Sequence, residues 1–226
     1  MKKQLILLAA GMCFGLYSFA QVSFGVKAGF SGANLSSKFD APGFERKTDT
    51  KWIPAFHAGV IVDITLTDNF SLQPGLFYSA KGNKRGGTDS LGSTVSATTR
   101  LNYLELPLNV LYKHSLGKGR LFAGLGPYLA YGISGKVKWK NDYNDMRPDI
   151  NEDVDVKFKN EVGSNSNVIY VKPLDAGANV TIGYEMDMGL LFSVNYSQGL
   201  VNTSPYSYEI EKNRYIGISV GYLLKK

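Results

Sequence analysis

A single cysteine, Cys13, stands in the 226 residues, and it falls within the first twenty. Those residues read as a cleavable targeting segment: Lys2 and Lys3 form a basic start, Leu5 to Phe19 is largely apolar, and Ser18-Phe19-Ala20 has the small-x-small pattern of a cleavage site. Cleavage between Ala20 and Gln21 is expected, which makes 21–226 the mature domain. Gly11-Met12 precedes Cys13 where a lipid-anchored protein needs a small residue, so Cys13 is read as an incidental member of the apolar stretch. The mature chain would then lack disulfides, thiolate metal sites and thiol nucleophiles altogether.

Long hydrophobic runs are also missing. No stretch of about 18 uncharged apolar residues occurs after residue 20, so a transmembrane helix is excluded. Charge of one sign is scarce too: without Lys2 and Lys3, 23 basic residues face 19 acidic ones, a net charge of +4. The basic residues alternate with acids instead of gathering into a stripe, which argues against a nucleic-acid partner. With only two histidines, His57 and His114, general acid–base chemistry has few candidates.

Glycine, tyrosine and phenylalanine are plentiful, and the dominant period is two, which predicts an all-β chain. Eight strands are expected at about 22–31, 54–66, 70–81, 100–113, 120–133, 173–186, 189–199 and 214–224. In each, apolar or aromatic residues occupy every second position. The predicted connections alternate between short turns (67–69, 115–119, 187–188) and long polar segments (32–52, 82–99, 134–172, 200–213). Short turns on one rim and long loops on the other are the pattern of a transmembrane barrel.

The sidedness of the strands separates this reading from a soluble barrel or sandwich. One face is nearly free of charge: Phe24, Val26, Val60, Val62, Leu104, Leu106, Leu108, Val180, Ile182, Phe192, Ile216, Ile218 and Val220 are expected to face lipid. The opposite face carries Lys27, His57, Asp63, Gln73, Glu105, Lys113, Asp175, Asn179 and Glu185, read as a polar network in the lumen. Ionisable groups excluded from hydrocarbon but tolerated in a closed interior give that division. An eight-stranded barrel is just wide enough for side chains to fill, so the inner charges are expected to pair with one another and no open pore is expected.

Several short motifs in order, Gly25-Val26-Lys27-Ala28-Gly29-Phe30, Phe70 to Gly75 continuing to Tyr78-Ser79-Ala80-Lys81-Gly82, Tyr103 to Leu108, Gly124 to Tyr128, Asp175-Ala176-Gly177, Tyr196 with Gly199-Leu200 and Asn202, and Gly217 to Tyr222, resemble the PorT-like small outer-membrane β-barrel proteins. The resemblance covers essentially the whole mature chain. It implies an eight-stranded antiparallel up-and-down transmembrane β-barrel with short periplasmic turns and long extracellular loops, in the bacterial outer membrane. Members of that group have mostly no assigned activity, and a few are associated with protein secretion. Tyr222 is followed by Leu-Leu-Lys-Lys, a departure from barrels that end in an aromatic residue.

Candidate chemistry is sparse. His57 is predicted to face inward and His114 to lie beside a short turn at the opposite rim, too far apart to cooperate. Ser79 and Asp63 would reach His57 only if the strand register allowed it, and no Gly-x-Ser-x-Gly frames a serine. Asp149, Asn151, Asp153 and Asp155 alternate as in a calcium loop, but Val154 and Asn160 occupy the places of the required Gly and Glu. Val154, Val156 and Phe158 give that segment the period of a strand instead. Trp52, Tyr78, Tyr112, Tyr131, Trp139, Tyr184, Tyr196 and Tyr222 fall mostly near strand ends, where aromatic girdles sit. The expectation is a monomeric, non-enzymatic barrel without cofactor, contacting outer-membrane lipid and an extracellular or envelope protein. An accessory subunit of a secretion machine and a lipid-modifying enzyme are the alternatives.

Overall fold

The computed structural model describes residues 22–88, 94–142, 150–165 and 167–224. The targeting segment with Cys13, Tyr17 and the Ala20-Gln21 junction, and Asp149 of the acidic loop, lie outside the described residues. The described strands are β1 (Val22–Ala41), β2 (Phe44–Thr48), β3 (Ile53–Thr65), β4 (Phe70–Thr88), β5 (Thr94–Ser115), β6 (Gly119–Asp142), β7 (Ile150–Phe158), β8 (Val168–Val171), β9 (Leu174–Met186), β10 (Leu190–Gly199) and β11 (Glu209–Leu224). Eight of them close a ring in the order β1, β3, β4, β5, β6, β9, β10, β11, and every neighbouring pair is antiparallel. Closure leaves no free sheet edge around the apolar band, as a chain that crosses lipid with strands requires, and the edges of β2 and β8 lie beyond it at the rim.

The eight ring strands are those the alternation predicts, but several run much further. Segments expected as long loops are largely ladder: β1 continues to Ala41 and turns into β2, β4 and β5 pair as far as Thr88↔Thr94, and β6 reaches Asp142 with β7 beside it. In these extensions both faces carry polar residues, so the chain looks like loop to a pattern search although its backbone is paired. Beyond the ends of β9 and β10 the wall is carried by β7 and β8, by Lys172 N–H donating to Thr203 O at 2.8 Å, and by Thr203 N–H donating to Glu211 O at 2.9 Å. Residues 150–158, with the calcium-like spacing, are thus a strand whose Asp153 and Asp155 stand opposite Lys138 and Lys136.

Side chains divide by face. Phe24, Val26, Val60, Leu104, Leu106, Leu108, Val180, Ile182, Phe192, Ile216, Ile218 and Val220 are outward and exposed, and Val62 is half-buried. Near the short turns this outer surface carries the edge-to-face pair Phe70 and Tyr112, centroids 5.4 Å apart, with Tyr222. At the other end of the apolar band Phe56 stacks on Tyr78 at 5.6 Å, with Tyr131 beyond.

Glycine is used where inner side chains crowd the wall. A Cβ at Gly124 would collide with the Leu111 side chain, and one at Gly132 with the Phe158 ring. At Gly126 the obstruction is backbone, Leu108 O and Asn109 Cα, which cannot rotate away. Gly126→Val is therefore expected to cost about 1–3 kcal/mol of unfolding free energy by forcing strands apart, read as a lower urea midpoint in micelles, whereas an unchanged midpoint would mean that β5 and β6 separate freely there.

Candidate functional site

The interior is a stack of layers along the barrel axis. Nearest the short turns, Lys113 Nζ lies 2.9 Å from Asp63 Oδ2 and 2.9 Å from Glu185 Oε2. Gln73 Nε2 donates to Asp63 at 3.0 Å, and Arg120 reaches Glu185 Oε1 at 2.9 Å. These residues come from β3, β4, β5, β6 and β9, so the cluster ties together walls far apart in sequence. All but Arg120 are buried. Apolar Ile61, Phe77, Leu191 and Leu223 pack as a separate interior cluster.

In the next layer Lys27 is buried but has no carboxylate partner among the described residues. Its Nζ donates to Asn195 Oδ1 at 3.0 Å. The expectation that the inner charges pair with one another therefore fails at this position: an amide oxygen, not an acid, receives the lysine. Asn195 also donates to Ser219 Oγ at 2.8 Å, and Ser219 Oγ lies 2.7 Å from His57 Nε2. A cavity of about 40 Å³ beside Lys27, His57, Asn179 and Asn195 has room for a few waters.

His57 is thus a member of a hydrogen-bonded layer. Ser79 is its cross-strand neighbour, but the hydroxyl bonded to it belongs to Ser219 on β11. Asp63 is held one layer away by Lys113. The buried Nδ1 of His57 has no hydrogen-bond partner among the described residues, so none of their acids orients the ring as a general base requires.

The third layer centres on Lys81, which is fully buried. Its Nζ lies 2.7 Å from Glu105 Oε2 and 3.0 Å from Asp175 Oδ2, and sits over the Tyr128 ring at 4.4 Å and the Tyr103 ring at 5.1 Å. Tyr215 Oη donates to Glu105 at 3.1 Å, and Asn213 Nδ2 donates to Asp175 at 3.0 Å. One ammonium between two carboxylates, each taking a further donor, satisfies charges that would be very costly alone. Above it Leu35, Leu101, Tyr103, Tyr128, Val137, Val156 and Val171 form an apolar plug. Beyond the plug Arg85 pairs with Glu211 and, at 3.7 Å, with Glu209. There burial holds the Glu211 carboxyl above its usual range, opposed by the Arg85 charge.

Of the polar positions expected inside, Lys27, His57, Asp63, Gln73, Glu105, Lys113, Asp175, Asn179 and Glu185 are all buried. They fall into separate layers rather than one network. The anchor of the third layer, Lys81, lies outside that expected set, as do its neighbours Tyr128, Asn213 and Tyr215. Among the described residues no group of three or more His, Cys, Asp and Glu could hold a metal ion.

A likeness to solved structures accompanies this architecture. It includes the outer membrane protein OprG from Pseudomonas aeruginosa, at 13% identity over 92% of this chain and 97% of that one, with a TM-score of 0.47. Neisserial surface protein A is 12% identical over 89% and 97% of the two chains, with a TM-score of 0.40. Ail of Yersinia pestis is 10% identical over 90% and 99%, with a TM-score of 0.39. No curated protein sequence matches the chain. The family model of the outer membrane protein beta-barrel domain matches residues 19–204, and the chain accordingly belongs to that family and is a transmembrane β-barrel of the bacterial outer membrane.

Proposed function

We propose that this protein is a closed, non-catalytic barrel that carries an extended rim of paired strands on the cell surface, where it meets an envelope or extracellular protein. The observation that carries this reading is the filled interior: two buried ion clusters and an apolar plug occupy successive levels of the lumen. A barrel with its axis blocked at three levels conducts nothing. The surface left for a partner is then the rim, where the β1–β2 hairpin, β4–β5 and β6–β7 project beyond the apolar band.

The motifs shared with PorT-like barrels support a monomer with short turns in the periplasm, and they extend the reading to accessory roles in secretion. Cleavage after Ala20 is part of the same proposal. The test is electrical. Purified protein in planar bilayers is expected to give no current steps above the lipid baseline, whereas stable unitary conductance would overturn the closed-barrel reading.

A further inference from the structure

The outer wall just beyond the apolar band is not uniform. β3 and β4 pair from Thr65↔Ser71 to His57↔Ser79 and meet again only at the Lys51–Lys84 bridge, so the four residues Ile53–Phe56 make no ladder with Ala80–Asn83. A concavity of about 640 Å³ opens there and extends across β5 and β6 to β7. Its apolar part includes Phe56, 48% exposed, and Ile133, 51% exposed. Its outer part carries Arg100, Lys136, Lys138 and Lys157, with Asp155 as the one acid lining it among the described residues.

The charges are arranged against their own interest. Arg100 and Lys136 stand directly opposite each other in the β5–β6 register on the outward face, a like-charge cross-strand pair that is unfavourable when nothing lies between. Arg100 and Lys157 have no acidic partner among the described residues. Lys136 and Lys138 reach Asp155 and Asp153 only at 4.0 and 3.6 Å, and with both partners largely exposed such pairs contribute little. Four cations against two weakly engaged carboxylates leave the concavity positive.

We propose that this concavity binds a phosphorylated lipid of the outer leaflet, lipid A in a Gram-negative envelope, with its phosphate between Arg100 and Lys136 and its acyl chains along Phe56 and Ile133. Charge complementarity favours an anion, and the exposed aromatic and aliphatic floor at the edge of the apolar band favours one that carries hydrocarbon. A guanidinium facing an ammonium is well suited to a phosphate, which accepts from both. Juxtamembrane basic clusters recognise anionic lipid headgroups by the same means.

The inference rests on the rim with long connections facing outward, part of the proposed function. The binding assay in detergent depends neither on a closed lumen nor on a protein partner, so its failure leaves that reading intact. The probe is purified diphosphorylated lipid A titrated into folded wild-type protein and into the double variant Arg100→Gln, Lys136→Gln, folding being verified by heat-dependent gel mobility. From the usual worth of a basic residue at a membrane surface, the double variant is expected to bind about thirty-fold more weakly. Lys118→Gln, at the opposite rim, is expected to bind as wild type.

Should the double variant not fold, Arg100→Gln alone is expected to lose about five-fold. Dephosphorylated lipid is expected to bind at least tenfold more weakly than the diphosphorylated form to the wild type. The proposal is overturned if wild-type protein does not bind, if the variants bind equally, or if removing the phosphates changes nothing. Displacement by millimolar inorganic phosphate would also overturn it, marking a site for free phosphate.

Discussion

Replacing Lys81 with methionine is expected to destabilise the barrel by about 3–5 kcal/mol, because it strips the shared cation from two buried carboxylates at once. Glu105 and Asp175 lie 2.7 and 3.0 Å from Lys81 Nζ, and both are buried. Tyr215 and Asn213 still donate to them in the variant, but neutral donors do not cancel two negative charges. The methionine side chain fills nearly the same volume, so packing against Tyr103 and Tyr128 is kept and the loss reads as electrostatic. Urea unfolding in micelles checks the size of the effect. Adding Glu105→Gln and Asp175→Asn to Lys81→Met is expected to restore most of the lost stability, since a wholly neutral cluster carries no unpaired charge. A Lys81→Met protein as stable as the wild type would show that the third layer is hydrated enough to screen its acids.

The same cluster shows what was legible in the sequence. Period two separates inner from outer faces because a strand places alternate side chains on opposite sides, and that alone assigned Glu105 and Asp175 to the interior. It could not say that Lys81, at the predicted end of its strand, meets an acid from β9. That contact depends on strand tilt and stagger around a closed ring, which pairwise alternation does not encode. Lys27 shows the complementary gap: a charged residue was expected to find a charge, yet its partner is the neutral Asn195.

The extended strands were unreadable for a different reason. Where the wall leaves the apolar band, selection for hydrocarbon on one face ends, and segments such as Lys136 to Lys140 opposite Asn151 to Asp155 carry charge outward on both partners. Hydrogen bonding between backbones holds those strands together without any apolar period to reveal them. Only the spacing of Val154, Val156 and Phe158 signalled β7, because its other face lies against the plug, where Val156 is buried.

Arginine in place of Val180 is expected to cost about 2–4 kcal/mol of stability in a bilayer. Val180 stands on β9 between Leu125 of β6 and Tyr196 of β10, outward and 49% exposed, midway along a run of apolar outward residues from Leu174 to Tyr184. In water an exposed valine replaced by arginine would change stability by no more than about 0.5 kcal/mol. The magnitude therefore distinguishes hydrocarbon from solvent at this face. Asn151→Arg, exposed on β7 beyond the apolar band, is the matched control and is expected to stay within about 0.5 kcal/mol. Urea unfolding from lipid vesicles measures both variants. The outer surface has to be dry at Val180 and wet at Asn151 for the two to differ. A Val180→Arg barrel that unfolds with Asn151→Arg would remove lipid from the outer face, and with it the reason for sequestering every central charge in the lumen.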